Sequence, residues 1–168
     1  MKTFLIGDTH FGHRNILTFK KEDGSDLRPN FNTIEEHDEY LIQRWNSTVS
    51  PSDKVYHLGD VGFKSFSQLG LVLGRLNGTK VLIKGNHDNF KLSQYIQFFK
   101  DVRGSHQLDK FILTHIPIHP ESLARWKGNI HGHMHSNTLK DSRYINVSVE
   151  QLDNYAPVDF EKIRALYK

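Results

Sequence analysis

The chain has 168 residues, a length that suits one domain (1–168) with a single sizeable core. Its net charge of +3 and 24% charged residues are ordinary for a globular protein, and no window approaches the roughly 18 uncharged apolar residues of a membrane span, so no membrane partner is expected. There is no cysteine, which excludes disulfides and thiolate metal sites; the first apolar run, Thr3–Ile6, is too short for a signal peptide, and a cytoplasmic location is expected.

Short apolar runs recur along the chain, each leaving into a polar turn. Thr3–Ile6 runs into Gly7-Asp8, and its Val/Ile/Phe-type composition reads as a buried strand. The segment from Phe11 to Asn32 then shows neither strand nor helix period. It is a long loop carrying His13, Arg14, Lys20, Lys21 and Arg28, and structureless loops of that length are often functional. Ile34, Asp38, Leu41 and Trp45 lie at helical spacing behind a Thr33/Glu36 capping box. Lys54–Leu58 is a second strand, ending in Gly59-Asp60. Phe66, Leu69, Val72, Leu73 and Leu76 form a second helical stripe behind Ser65 and Gln68. Thr79–Ile83 leads into Gly85-Asn86-His87-Asp88. Asn89–Lys100 is expected to be a third helix with Leu92, Tyr95, Ile96 and Phe99 inward. Lys110–Leu113 runs into Thr114-His115, Asn129–His131 into Gly132-His133, and Arg143–Val149 is a sixth run. Val158–Tyr167, after Pro157, is a fourth helix. Strand alternating with helix points to an α/β fold.

Eleven histidines stand out, and they gather with Asp, Asn and Gly at the strand ends. In order, the motifs are Gly7-Asp8-Thr9-His10, Gly59-Asp60, Gly85-Asn86-His87-Asp88, Thr114-His115 and Gly132-His133-Met134-His135. Side chains at the carboxyl ends of neighbouring strands converge on one crevice. The donors are oxygen and imidazole without sulfur, a mix suited to Mn, with Fe, Zn and Ni also fitting. Asp8, His10, Asp60, Asn86, His115, His133 and His135 are more donors than one ion needs, and two divalent ions sharing one carboxylate account for all of them.

With these motifs the chain resembles the calcineurin-like metallophosphoesterase family, from Met1 to about Val149 and most closely its small stand-alone bacterial and phage members. The resemblance implies two mixed β-sheets packed as a sandwich flanked by helices. It implies that Asp8, His10 and His135 hold one metal, that Asn86, His115 and His133 hold the other, and that Asp60 bridges them. It implies a metal-bridging hydroxide attacking phosphorus, with His87 contacting the phosphate or protonating the leaving oxygen. The expected activity is therefore hydrolysis of a phosphodiester or phosphomonoester, of a nucleotide or another small substrate. A nuclease acting on DNA or RNA ends and a non-catalytic metal-binding scaffold are the alternatives. Gly59-Asp60-Val61-Gly62-Phe63-Lys64 lacks the phosphate-gripping arginine of the phosphoprotein phosphatases, which argues against that branch.

Residues near the motifs complete the expectations. His13, Arg14 and Arg28 follow the first motif and are candidate substrate contacts. Asp88 is read as a cap for the helix beginning at Asn89, and His57 as a packed strand histidine. His131 shares the strand face of His133. His37, His106 and His119 are read as surface or structural. Glu150 and Asn146 are expected to form loop structure or to support ligand geometry.

Overall fold

Apolar side chains on both faces of short strands set the layering. The computed structural model describes residues 1–167. Among them lie nine strands: β1 (Thr3–Ile6), β2 (Lys54–His57), β3 (Thr79–Ile83), β4 (Asp101–Arg103), β5 (Ser105–Leu108), β6 (Phe111–Thr114), β7 (Gly128–His131), β8 (Tyr144–Asn146) and β9 (Val158–Asp159). The α-helices are α1 (Ile34–Thr48), α2 (Phe66–Leu73), α3 (Leu92–Tyr95) and α4 (Phe160–Ala165).

Successive strand side chains point to opposite faces. Phe4, Ile6, Val55 and Leu82 therefore pack under α1 and α2 with Leu41, Trp45, Leu69 and Leu73. Leu5, Tyr56, Val81 and Ile83 face the other way and meet Phe111, Leu113 and Ile130. The second set joins two mixed sheets face to face, so the expected α/β sandwich is the architecture found. One sheet has the order β4-β3-β2-β1-β9, with only β9 antiparallel. The other has the order β5-β6-β7-β8, with only β5 antiparallel. Parallel strands buried on both faces read as continuous apolar runs, which is why β1, β2, β3 and β6 were legible.

Four details differ from the sequence reading. β4 and β5 join the sheets through backbone pairing although Asp101-Val102-Arg103 and Ser105-His106-Gln107-Leu108 lack an apolar pattern. Val158 and Asp159 pair with β1 instead of opening a helix, and Asp159 caps α4 through Glu161 N. The third helix shrinks to Leu92–Tyr95; Tyr95 and Phe99 are buried, but Leu92 and Ile96 are 59% and 60% exposed. The Phe11–Asn32 loop has its own anchor: Phe11 is fully buried, Arg14–Leu17 forms a 3-10 turn, and Ile16, Leu27 and Ile34 make a separate apolar cluster. No helix among the described residues is long and apolar enough to cross a membrane.

Candidate metal centre

The carboxyl ends of β1, β2, β3, β6 and β7 meet along one edge of the sandwich. Backbone bonds lock them there: Gly7 N donates to Val147 O at 2.8 Å, Asp8 N to Gly59 O at 2.9 Å, and Gly132 N to His115 O at 3.0 Å. Asp8, His10, Asp60, His133 and His135 all have φ between +50° and +69°. Non-glycine residues held in this region cost about 1–3 kcal/mol each and gather where function constrains the backbone. Two glycines make room for the carboxylates. A Cβ on Gly132 would stand 2.4 Å from Asp8 Oδ2, and one on Gly85 would stand 2.3 Å from Asp60 Oδ1.

The two carboxylates are mounted alike. Asp8 Oδ2 accepts from His133 N and Ser148 Oγ, each at 2.9 Å, while Oδ1 is buried with no hydrogen-bond partner. Asp60 Oδ1 accepts from His87 N at 2.9 Å. Its Oδ2 lies 3.7 Å from His10 Nε2 and 3.5 Å from His115 Nε2. Each carboxylate thus spends one oxygen on the scaffold and turns the other toward imidazoles.

Two clusters could each hold a metal ion: Asp8, His10 and His135, and Asp60, His115 and His133. Asn86 belongs with the second, its Oδ1 being 2.8 Å from His115 Nε2 and 3.0 Å from His133 Nδ1. The chemistry of the donors fits a cation. His115 Nδ1 donates to Leu58 O at 2.7 Å, so the lone pair of Nε2 faces the amide oxygen of Asn86. Two acceptors at that distance call for a positive charge between them, or for a proton on His115. His10 Nε2 is likewise buried and unpartnered.

The electrostatics agree. Burial pushes the Asp8 carboxyl up to about 6, against the pull of His135 and His115. Burial and the nearby Arg28 charge hold the His10 imidazole well below its usual range. Burial opposes charge on His115 and His135, yet Asp60 and Glu150 respectively raise both above the ordinary histidine value. For Asp60 burial works upward, but the His115 hydrogen bond and charge bring its carboxyl below the usual range.

The first cluster has a brace behind it. Glu150 Oε1 accepts from His135 Nδ1 at 3.0 Å and from Arg28 Nε at 2.9 Å. Burial disfavours that carboxylate, but Arg28 and His135 hold it down to about 2. The guanidinium also donates to Thr9 O at 2.8 Å, to His37 Nε2 at 2.9 Å and to Asp8 O. Arg28 is 1% exposed, and its donors go to the backbone of the first motif, to His37 and to Glu150. Arg14 is exposed and pairs with Glu35 at 3.8 Å. His13 does lie beside the first cluster, its Nδ1 3.0 Å from His10 Nδ1 and its ring stacked on Phe63 at 4.0 Å.

Asp88 does not cap a helix. Its carboxylate accepts from Asp60 N, Val61 N and Gly85 N at 2.8–2.9 Å, tying the β2 and β3 turns together. His57 is fully buried: Gly59 N donates to its Nδ1 at 3.2 Å, which leaves Nε2 as donor to Thr9 Oγ1 at 2.9 Å. Burial drives its pKa down to about 3. His131 is buried, with Nδ1 donating to Gly132 O at 2.8 Å, and belongs to neither cluster. His37 is structural, as expected, and Glu150 supports His135. Asn146 Nδ2 donates to His135 O at 2.9 Å, so it too supports the last motif. Ser148 and Phe63 had no signal in the sequence, because their contacts exist only once the sheets are assembled.

Fold and site together define an α/β sandwich carrying two adjacent His/Asp clusters that could hold metals. The chain is 36% identical to MJ1445, an uncharacterized protein of Methanocaldococcus jannaschii, over 96% of this chain and 89% of that one; it belongs to the same family. It is also 25% identical to the gene 66 protein of Mycobacterium phage D29, over 93% of this chain and 92% of that protein. Among solved structures it is similar to AQ665 of Aquifex aeolicus, a protein of unknown function, at 26% identity with a TM-score of 0.73 over 98% of each chain. No protein-family model matches the chain.

Proposed function

We propose that this protein is a dinuclear metal-dependent phosphoesterase. The observation that carries the reading is the position of Asp60, whose Oδ2 stands within 3.7 Å of an imidazole nitrogen from each cluster. Its sequence motifs resemble those of the calcineurin-like metallophosphoesterases. Asp8, His10 and His135 would hold one ion and Asn86, His115 and His133 the other, with Asp60 common to both and manganese the metal of choice. When bound, two such ions supply an activated water at neutral pH and neutralise charge on the phosphate oxygens.

The protein's own groups have separate tasks. Asp88 and the His87 amide fix Asp60 so that one oxygen faces both clusters. His13 orients His10: a proton on His10 Nδ1 shared with His13 Nδ1 leaves His10 Nε2 as the donor lone pair. His87 is exposed at the rim, with its ring 5.1 Å from Phe63, and is free to donate a proton to the leaving oxygen.

The test is hydrolysis of bis-p-nitrophenyl phosphate and of the monoester by manganese-loaded protein. Turnover that chelation abolishes and manganese restores is expected, and turnover of neither ester would overturn the reading. His87→Ala should keep both metals and lose about 10²–10⁴-fold in rate on esters with poor leaving groups, far less on p-nitrophenyl esters. An equal loss on both would assign His87 to phosphate binding.

A further inference from the structure

A cleft of about 780 Å³ opens directly from His133 and His135. Around it stand Phe19, Ile116 and Leu139, which are 44%, 51% and 39% exposed. Single exposed apolar side chains are ordinary, but several converging on one concavity beside candidate ligands make a binding surface. Polar groups converge there too. Lys21 is half-buried in the cleft wall, and Ser136 and Asn137 reach it from the last motif. Among the described residues the Lys21 ammonium has no ion-pair partner, whereas its neighbour Lys20 pairs with Asp26. Asn137 uses its backbone, accepting from Asn146 and donating to Met134 O, and leaves its side-chain amide unpaired. A second opening of about 330 Å³ is bordered by Lys84, Asn86 and His115 and shares Ile116 with the larger cleft. A phosphorus at the clusters would therefore have room beside it for an organic group in the larger cleft.

We propose that the larger cleft is the subsite for the nucleoside of a phosphodiester, an inference that rests on the phosphoesterase reading above. The cleft is the size that holds one small ligand, within the usual 300–1,000 Å³ or so, and not a duplex groove. The Phe19 ring offers a stacking face for a base, and the Asn137 amide offers a donor and an acceptor for its edge. The Lys21 ammonium complements phosphate or sugar oxygens. An acyl chain would use the apolar wall but leave Lys21, Ser136 and Asn137 without partners.

The experiment compares three diesters with the same leaving group, using full-length manganese-loaded protein: thymidine 5′-(p-nitrophenyl phosphate), methyl p-nitrophenyl phosphate and hexyl p-nitrophenyl phosphate. The thymidine ester should be favoured over the methyl ester by about 10²-fold in kcat/KM, since one stacked base and its edge contacts contribute that much. Phe19→Ala and Asn137→Ala should each reduce that ratio by about tenfold, and because the ratio is taken within each variant it does not depend on specific activity. Asn137 is exposed, so its variant keeps the test open if Phe19→Ala fails to fold. Release from all three esters at equal kcat/KM, or a preference for the hexyl ester, would overturn the nucleoside subsite alone. Release from none would overturn the phosphoesterase reading and the subsite with it.

Discussion

The two clusters are built from the same residue types but held in different ways. In the first, Asp8 and His10 are buried and His135 is held from behind by Glu150. A fully buried arginine ties that glutamate to the backbone of Asp8 and Thr9. In the second, Asp60 and His115 are buried, but Asn86 and His133 are exposed and, among the described residues, no buried ion pair stands behind them. The first is therefore preorganised by a charged scaffold, while the second depends on two strand-end turns and on Asp60. A preorganised site loses less freedom on binding, so the first cluster should keep its ion through dialysis and the second should exchange.

The largest effect should come from the brace. Removing one partner of a buried ion pair leaves the other charge uncompensated, so Arg28→Ala should lower stability by about 3–5 kcal/mol. Thermal unfolding of the metal-free protein checks this, with His133→Ala as the contrasting variant that should barely move it. An Arg28→Ala protein with an unchanged melting temperature and a raised KM would return Arg28 to the substrate face.

Next comes Asp60, the residue proposed to serve both clusters. Asp60→Asn keeps the shape but removes the charge that two dications would share, and turnover of bis-p-nitrophenyl phosphate should fall by at least ~10²-fold. Activity within a few-fold of the parent would count against the shared role proposed for Asp60.

The smallest effect is a pH dependence, and its sign is set by the fold. Asp8, His115 and His135 all have raised pKa values in the metal-free fold. Folding then takes up protons, so the stability these groups contribute is present at low pH and lost as pH rises, through about 6 for Asp8. His10 and His57, held low by burial, work the other way and cost the fold stability as pH falls, so the quantity to follow is the gain in melting temperature on adding Mn²⁺, which should grow as pH rises through about 6. A manganese effect independent of pH would mean that these groups do not exchange protons for metal.

Much of this was legible in the sequence because the donors gather at the ends of short apolar runs, and Asp8, Asp60, Asn86 and His133 each sit beside a glycine. Gly7-Asp8, Gly59-Asp60 and Gly132-His133 each show where a strand stops and a side chain turns into the crevice. What was hidden depends on distant partners. Arg28 looked like a substrate contact because it is a cation in a polar loop; its partner Glu150 lies 122 residues away. Asp88 looked like a helix cap because helical residues follow, yet the backbone amides it serves include those of Asp60 and Val61 across the sheet. β4, β5 and β9 carry no apolar pattern, since pairing with β3, β6 and β1 supplies their stability.

The most direct test of the centre is a manganese titration of the metal-free protein followed by electron paramagnetic resonance. Two equivalents should bind, the first more tightly than the second, and the second should produce the spin-coupled signal of ions about 3.5–4 Å apart. Asp60→Asn should abolish the coupling. Saturation at one equivalent, or two equivalents giving only the spectrum of isolated ions, would contradict a centre joined through Asp60.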